Sequence, residues 1–401
     1  MIKLGCNDSL PSGWVWAKAN DVMDVRDGTH DSPKALATGI PLVTSKNLVN
    51  GEIDYSTCTY ISEEDHESIS KRSAVDDGDI LYAMIGTIGN PVIVRKDFDF
   101  SIKNVALFKF ANSDLCNRYI YHYLNCGLAK QQFQSNSRGG TQKFVSLGNI
   151  RELMIPLPPL EEQKRIAAIL DKADAIRRKR QQAIDLADEF LRSVFLDMFG
   201  DPVTNPKGWE VKSVEEVSLK VTDGVHAKPN YADSGIPFIS VKNIIGGRIS
   251  FDDTKFISLE DHIKYSKRCN VEKRDIVYTK VGATYGRAAL VETDTEFSLY
   301  VSVALIKPNH NLIDARFLTE VMNSSSVKRQ ADRSIKGAGV PDLHLVEIKS
   351  FLIPVPDLNT QRGFVSKVNG IYKKVERYKK TLFKLDELFN SLSQKAFSGQ
   401  L

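Results

Sequence analysis

Cysteine is scarce in this chain of 401 residues: Cys6, Cys58, Cys116, Cys126 and Cys269 lie far apart, with no CxxC pair and no His-x-x-x-His. That scatter offers neither a zinc site nor a disulfide framework, and it suits a reducing cytoplasm. Charge of one sign is also lacking, since 54 Lys+Arg against 50 Asp+Glu leave a formal net charge of +4. Overall basicity therefore argues little for a polyanionic partner, and any charged binding surface has to come from local clustering. No run approaches the roughly 18 apolar residues of a membrane span, and residues Met1 to Asp8 lack the apolar stretch of a signal peptide, so no membrane contact is expected. A phosphate-cradling G-x-x-x-x-G-K-[ST] loop is absent, which excludes an ATP motor of that kind.

What is present is self-similarity, the first thing to seek in a chain too long for one core. Gly39-Ile40-Pro41-Leu42-Val43-Thr44-Ser45-Lys46-Asn47-Leu48 returns 196 residues later as Gly235-Ile236-Pro237-Phe238-Ile239-Ser240-Val241-Lys242-Asn243-Ile244. Near the same offset, Gly13-Trp14 is answered by Gly208-Trp209, Asp27-Gly28-Thr29-His30 by Asp223-Gly224-Val225-His226, and Asp79-Ile80-Leu81-Tyr82 by Asp275-Ile276-Val277-Tyr278. Ile155-Pro156-Leu157-Pro158 matches Ile353-Pro354-Val355-Pro356 at an offset of 198, the drift of small loop insertions. Short β-like runs such as Pro91–Val94 and Val303–Ile306 alternate with helical stretches over 117–134 and 314–331, which reads as a mixed domain present twice.

Each copy closes on a long helix. From Leu160 to about Phe199 the chain has neither Gly nor Pro, and from about Asp357 to Phe397 only Gly363 and Gly370 interrupt helical composition. Phe364, Val368, Ile371, Val375, Tyr378, Leu382, Leu385, Phe389, Leu392 and Ala396 step by four and three, the spacing of a coiled-coil seam. The matching positions of the first copy are Ile166, Leu170, Ala173, Arg177, Arg180, Ile184, Ala187, Leu191, Val194 and Met198, apolar except for the two arginines. A stripe about 35 residues long spans about 50 Å and needs an equally long partner. An approximate two-fold relation between the copies would pack the two helices antiparallel. The expected fold class is therefore α+β (mixed α/β): two similar globular domains separated by a pair of long antiparallel coiled-coil helices, a pseudo-two-fold internal repeat. Such a pair suits a ruler between recognition units, whose centres on DNA lie roughly 34–36 Å apart per turn.

The segment Ile155-Pro156-Leu157-Pro158-Pro159-Leu160-Glu161-Glu162-Gln163-Lys164-Arg165-Ile166, followed by a long helix, resembles a spacer region of the specificity subunit of type I restriction-modification systems. The ending Gln394-Lys395-Ala396-Phe397-Ser398-Gly399-Gln400-Leu401 does too, and the Gly-Trp openings and Ile-Pro...Lys-Asn segments resemble that family's target-recognition domains. The likeness implies target-recognition domains at 1–157 and 201–355, with spacer helices at 158–200 and 356–401. It further implies a subunit without chemistry of its own, which recognises an asymmetric bipartite target on double-stranded DNA. That subunit would place two methyltransferase subunits and a restriction/translocase subunit there. S-adenosylmethionine, ATP and magnesium would belong to those partners, and no cofactor to this chain. The isolated chain is also a candidate homo-dimer.

Chemistry expected of an enzyme is missing. Asn90-Pro91-Val92 and Asp201-Pro202-Val203 lack the second proline and the aromatic of the loop that holds a flipped base in amino-methyltransferases. Pro341-Asp342 followed by Glu347-Ile348-Lys349 is spaced too tightly for a nuclease, and the first copy has Asn149-Ile150-Arg151 there. His30 and His226 have no companions at metal spacing and read as turn or DNA-facing residues.

DNA contact calls for polar and basic side chains on exposed loops. Lys46, Asn47, Lys242 and Asn243 offer one such segment per copy. Thr87 in one glycine loop, with Lys280, Thr284, Tyr285 and Arg287 in its counterpart, offers a second. The third is Arg138-Gly139-Gly140-Thr141-Gln142-Lys143 with Lys336, where paired glycines let backbone approach a phosphate. Lys46 and Lys242 could equally cap a helix or brace the fold. Shared residues would position and differing residues would specify. The rival readings are a coiled-coil scaffold that binds protein partners without DNA readout, and a fragment of a fused polypeptide, the latter disfavoured because Met1 and Leu401 bracket two complete units.

Overall fold

The computed structural model describes residues 10–86, 88–111, 113–136, 144–201, 204–335 and 339–401. They form two units, Met1–Ala183 with Tyr378–Leu401 and Ile184–Arg377.

In chain order the first unit has β1 (Val15–Lys18), α1 (Ala19–Val22), β2 (Asp24–Asp27), β3 (Ile40–Thr44), β4 (Leu48–Val49), β5 (Glu52–Ile53) and β6 (Thr59–Ile61). There follow α2 (Glu63–Ser73), β7 (Ile80–Ala83), β8 (Gly89–Ile93), β9 (Ser101–Lys103), β10 (Val105–Lys109), α3 (Asn117–Asn125), α4 (Gly127–Asn136), α5 (Leu147–Arg151) and β11 (Met154–Leu157). The long helix α6 (Leu160–Phe199) comes next. The second unit has β12 (Val211–Ser213), β13 (Ser218–Asp223), β14 (Ile236–Ile239), β15 (Ile244–Ile245), β16 (Arg248–Ile249), β17 (Lys255–Ile257), α7 (Leu259–Ser266), β18 (Ile276–Thr279), β19 (Ala288–Leu290), β20 (Ser298–Leu299) and β21 (Val303–Pro308). It ends with α8 (Ala315–Met322), α9 (Ser325–Ser334), α10 (Leu345–Ser350), β22 (Leu352–Pro354) and α11 (Leu358–Phe397).

The repeat survives as topology. One unit carries sheets ordered β2-β10-β7-β8, β6-β3-β9, β1-β11 and β4-β5; the other carries β13-β21-β18-β19, β17-β14-β20, β12-β22 and β15-β16. In the first four-stranded sheet, Ile80, Tyr82, Ala106 and Phe108 join the core beneath the helices, while Leu81, Ala83, Val105 and Leu107 join a second core with Val43 and Ile102. Strands buried on both faces read as continuous apolar runs, which is why Ile80–Ala83 shows no polar alternation. Ile276 and Tyr278 against Val277 repeat the division in the other unit.

The expected helices over 117–134 and 314–331 are each two. Cys126 is extended (φ −76, ψ 163) between α3 and α4, and the Ser324 hydroxyl caps α9 by accepting from Val327 N at 3.4 Å. Local capping thus outweighs helical composition at both joints.

Both long helices form as expected, and Gly363 and Gly370 interrupt neither. Every seam position, Ala173, Ile184, Ala187, Val375, Leu382 and Leu385 included, is buried or half-buried. Within the first unit the helices run antiparallel: Ile166 and Leu170 share a core with Phe389, Leu392, Ala396 and Phe397. Further along, Arg177 Nε donates to Asp386 Oδ1 at 2.7 Å. Arg177 also stacks 4.5 Å over Phe389, and Arg180 4.3 Å over Tyr378. The two arginines keep the stripe by laying flat guanidinium planes on aromatic faces. Within the second unit Leu191, Val194, Phe195 and Phe199 pack with Phe364, Val368 and Ile371. No helix among the described residues is long and apolar enough to cross a membrane.

Candidate nucleic-acid interface

The Asp-Gly-x-His segment ends β2 in one unit and β13 in the other. Its glycine is required by close approach: a Cβ on Gly28 would lie 2.2 Å from Ile102 O, and one on Gly224 2.0 Å from Leu299 O. Pressed against that backbone, Thr29 pairs with Lys103 and Val225 with Tyr300. The turn then brings each histidine back onto the aspartate three residues earlier. His30 Nε2 lies 3.0 Å from Asp27 Oδ2, and His226 Nε2 3.2 Å from Asp223 Oδ1.

A guanidinium reaches each aspartate from the C-terminal end of a later helix, Arg72 in the last turn of α2 and Arg268 just past α7. Arg72 donates to Asp27 Oδ1, and Arg268 Nη2 donates to Asp223 Oδ1 at 2.6 Å. Both carboxylates are only 2% exposed. In the first unit His30 Nδ1 also lies 2.8 Å from Asn104 Oδ1, and Ser45 Oγ donates to Asn104 O at 3.2 Å, so the Lys46 segment adjoins the histidine turn. In the second, Lys280 Nζ donates to Asp223 Oδ2 at 2.9 Å.

Backbone pairing also fixes the glycine loops. Val145 N donates to Met84 O at 2.9 Å and Leu343 N to Lys280 O at 2.8 Å, so each loop lies beside the chain that follows the third candidate segment. Tyr285 is tied down there: its hydroxyl donates to Asp332 Oδ1 at 2.5 Å and Lys328 Nζ sits 3.6 Å over its ring. Hydrogen bonds from Lys328 and Tyr285 hold the Asp332 carboxyl below its ordinary range. Thr284 is half-buried and its carbonyl accepts from Thr279 Oγ1 at 2.7 Å, whereas Arg287 is exposed.

The expected site residues divide accordingly. His30, Lys46, His226, Lys242 and Arg287 face solvent, Lys242 pairing with Asp253 at 2.9 Å. Asn47 and Asn243 are corrections: each is 2% exposed, too buried to meet DNA. The Asn47 carboxamide accepts from Thr44 N at 2.8 Å and donates to Asp54 O at 3.0 Å; that of Asn243 accepts from Ser240 N at 3.0 Å and donates to Asp253 O at 3.2 Å. The shared Lys-Asn pair is thus a turn brace in its asparagine and an outward cation in its lysine. Lys280, 7% exposed, is a correction too, since its charge is consumed by Asp223. Thr87, Arg138, Gly139, Gly140, Thr141, Gln142, Lys143 and Lys336 lie outside the described residues. Arg72 and Arg268 were not expected, although Ser70-Lys71-Arg72 returns as Ser266-Lys267-Arg268 at the same 196-residue offset.

Beside the histidine turn the units diverge. In the second, Tyr231, Phe238 and Tyr300 form a row with ring centroids 6.0 Å apart at each step, and Lys255 Nζ sits 4.1 Å over Tyr231. Strand register puts Leu42, Thr59 and Lys103 where Phe238, Lys255 and Tyr300 stand.

The model of the type I restriction modification DNA specificity domain matches residues 11–186 and again 206–396. The chain belongs to this family. Among family members, it is 24% identical to the type I restriction enzyme EcoBI specificity subunit of Escherichia coli, over 98% of this chain and 87% of that one. It is also 24% identical to the MjaIX specificity subunit of Methanocaldococcus jannaschii, over 98% and 94%. The crystal structure of the type I restriction-modification S subunit from M. genitalium shares the specificity-family fold, with a TM-score of 0.58 at 16% identity over 98% of this chain and 97% of that one.

Proposed function

We propose that this chain is the DNA-specificity subunit of a type I restriction-modification enzyme, reading a split target whose two halves differ. The observation that carries the reading is the family match made twice, once on each copy of the recognition domain. The relatives' names as specificity subunits support it. Domains 1–157 and 201–355 each take one half-site, and helices 158–200 and 356–401 serve as spacers. The unlike half-sites follow from the positions where the copies diverge, chiefly Tyr300 against Lys103 and Lys255 against Thr59.

Catalysis on this reading belongs to other subunits: two adenine methyltransferases using S-adenosylmethionine, and a restriction subunit using ATP and magnesium to translocate and cut. This chain supplies position and sequence choice. Methylome sequencing of cells carrying the three subunits tests the proposal. Methylated adenine in one split motif with unlike halves is expected; a palindromic or unsplit motif, or modification that persists when this chain alone is deleted, overturns it.

A further inference from the structure

Both units hold the same outward-facing cation on the same buried carboxylate. Side-chain exposure is 3% for Asp27 and 59% for Arg72, and 3% for Asp223 and 56% for Arg268. The histidines on the same carboxylates are 61% and 60% exposed. A guanidinium has five N–H donors in a fixed fork. The aspartate accepts from Nη2, which anchors a guanidinium that is more than half exposed and has further N–H donors to offer. In the first unit His30 Nδ1 is taken up by Asn104 Oδ1, a contact without a counterpart at His226 among the described residues.

We propose that Asp27–Arg72–His30 and Asp223–Arg268–His226 are a pair of matched sites for a DNA backbone phosphate, one per recognition domain, in which the aspartates are positioning residues. The proposal rests on the DNA-specificity reading and extends it to named contacts. Two unlike half-sites differ in base sequence, so an exposed residue that is repeated identically in both domains and meets DNA meets what every half-site shares, the phosphodiester oxyanion. Planar, preorganised arginine donors suit that ligand. Lys71 and Lys267, exposed and adjacent to the two arginines, add sequence-independent attraction. The sites differ also in the partners of the aspartate. Lys280 gives Asp223 a second cation where the first domain has Met84, so removal of Arg72 strips Asp27 of its guanidinium while removal of Arg268 leaves Asp223 paired.

The test uses the full chain assembled with its methyltransferase subunits. The probes are a duplex carrying the methylated motif and the same duplex with both half-sites scrambled, titrated between about 50 and 200 mM salt. Arg72→Ala and Arg268→Ala are expected to weaken binding to both duplexes by the same factor, roughly tenfold, and to lower the salt slope by about 1. Arg72→Ala gives the larger loss, and Arg72→Lys restores the slope. Asp27→Asn separates positioning from charge: it adds net positive charge, yet affinity is expected to fall because the guanidinium loses its anchor. Thermal melting of each variant monitors folding. Lowered melting with unchanged salt slope, a loss confined to the target duplex, or tighter binding by Asp27→Asn each overturns the assignment. Wild-type assembly that binds without salt dependence or target preference overturns the specificity reading itself, and the sites with it.

Discussion

Asp223 meets three basic side chains, and the cost of disturbing it depends on which partner goes. Lys280 is 7% exposed and its only described anionic partner is Asp223. Asp223→Asn therefore leaves an ammonium buried without a counter-charge, a change that costs about 3–5 kcal/mol. Lys280→Met copies the first unit, where Met84 occupies the matching place and Asp27 is satisfied by Arg72 and His30. It is expected to cost less than about 1 kcal/mol, read as the shift in the chemical-denaturation midpoint, and equal losses for the two variants would refute the argument. At Gly28 a methyl group would enter the backbone of Ile102 at 2.2 Å. Gly28→Ala should thus destabilise by about 1–3 kcal/mol and pull His30 from Asp27, visible as a shifted imidazole resonance. These turns were legible because two aspartates, two glycines and two histidines recur at one offset. Arg72 and Arg268 recur as faithfully, but a basic residue ending a helix ordinarily extends into solvent, and the aspartate that holds it is distant in sequence. Asn47 and Asn243 misled for the opposite reason: polar type suggested a surface, while their carboxamides close a turn from within.

At the scale of elements, the entry into each long helix is locked by one buried amide. Gln163 Nε2 donates to Pro158 O at 3.0 Å and its Oε1 accepts from Cys116 N at 3.0 Å; Gln361 repeats this with Pro356 O at 2.7 Å and Asp314 N at 2.7 Å. Gln163→Ala and Gln361→Ala each strand a buried N–H and C=O and should cost about 1–3 kcal/mol by urea titration; a change below about 0.5 kcal/mol would mean that water replaces the amide. Between α3 and α6, His122 is 3% exposed and its Nε2 lies 2.6 Å from Asp171 Oδ1. Burial pushes this imidazole below its ordinary value of 6.5, outweighing the hydrogen bond to Asp171 that favours the charged form. The unfolded chain thus takes up a proton before the folded one does. Stability is whole above 6.5 and is lost as pH falls from there through the depressed folded value. A denaturation midpoint that drops from about pH 7 to about 5.5, and drops less in His122→Gln, is the expected result; a midpoint that rises on acidification contradicts it. The seam itself was readable from spacing, and Arg177 and Arg180 looked like breaks only because stacking on Phe389 and Tyr378 joins residues far apart in the chain.

For the whole molecule, the repeat in sequence and the division in space do not coincide. The first unit is completed by Tyr378–Leu401, which follows all of the second unit in the chain, whereas the second unit is the unbroken stretch Ile184–Arg377. Periodicity shows that two long helices exist, but which core each end enters depends on packing that no local pattern encodes. The terminal segment brings Phe397 to ring distances of 5.3 Å from Tyr119 and 5.1 Å from Tyr123, with Phe389 and Leu392 packed on the same core. Losing one such phenylalanine to alanine costs about 3–5 kcal/mol, against total domain stabilities of about 5–15 kcal/mol. A chain ending at Arg377 should therefore lose or greatly weaken the thermal transition of the first unit and keep that of the second. Scanning calorimetry of the full and shortened chains decides this. Loss of one of two heat-absorption peaks is expected, and Phe397→Ala should lower the same peak without touching the other. If both peaks vanish together, or the shortened chain melts like the full one, the terminal segment is not part of the first unit's core.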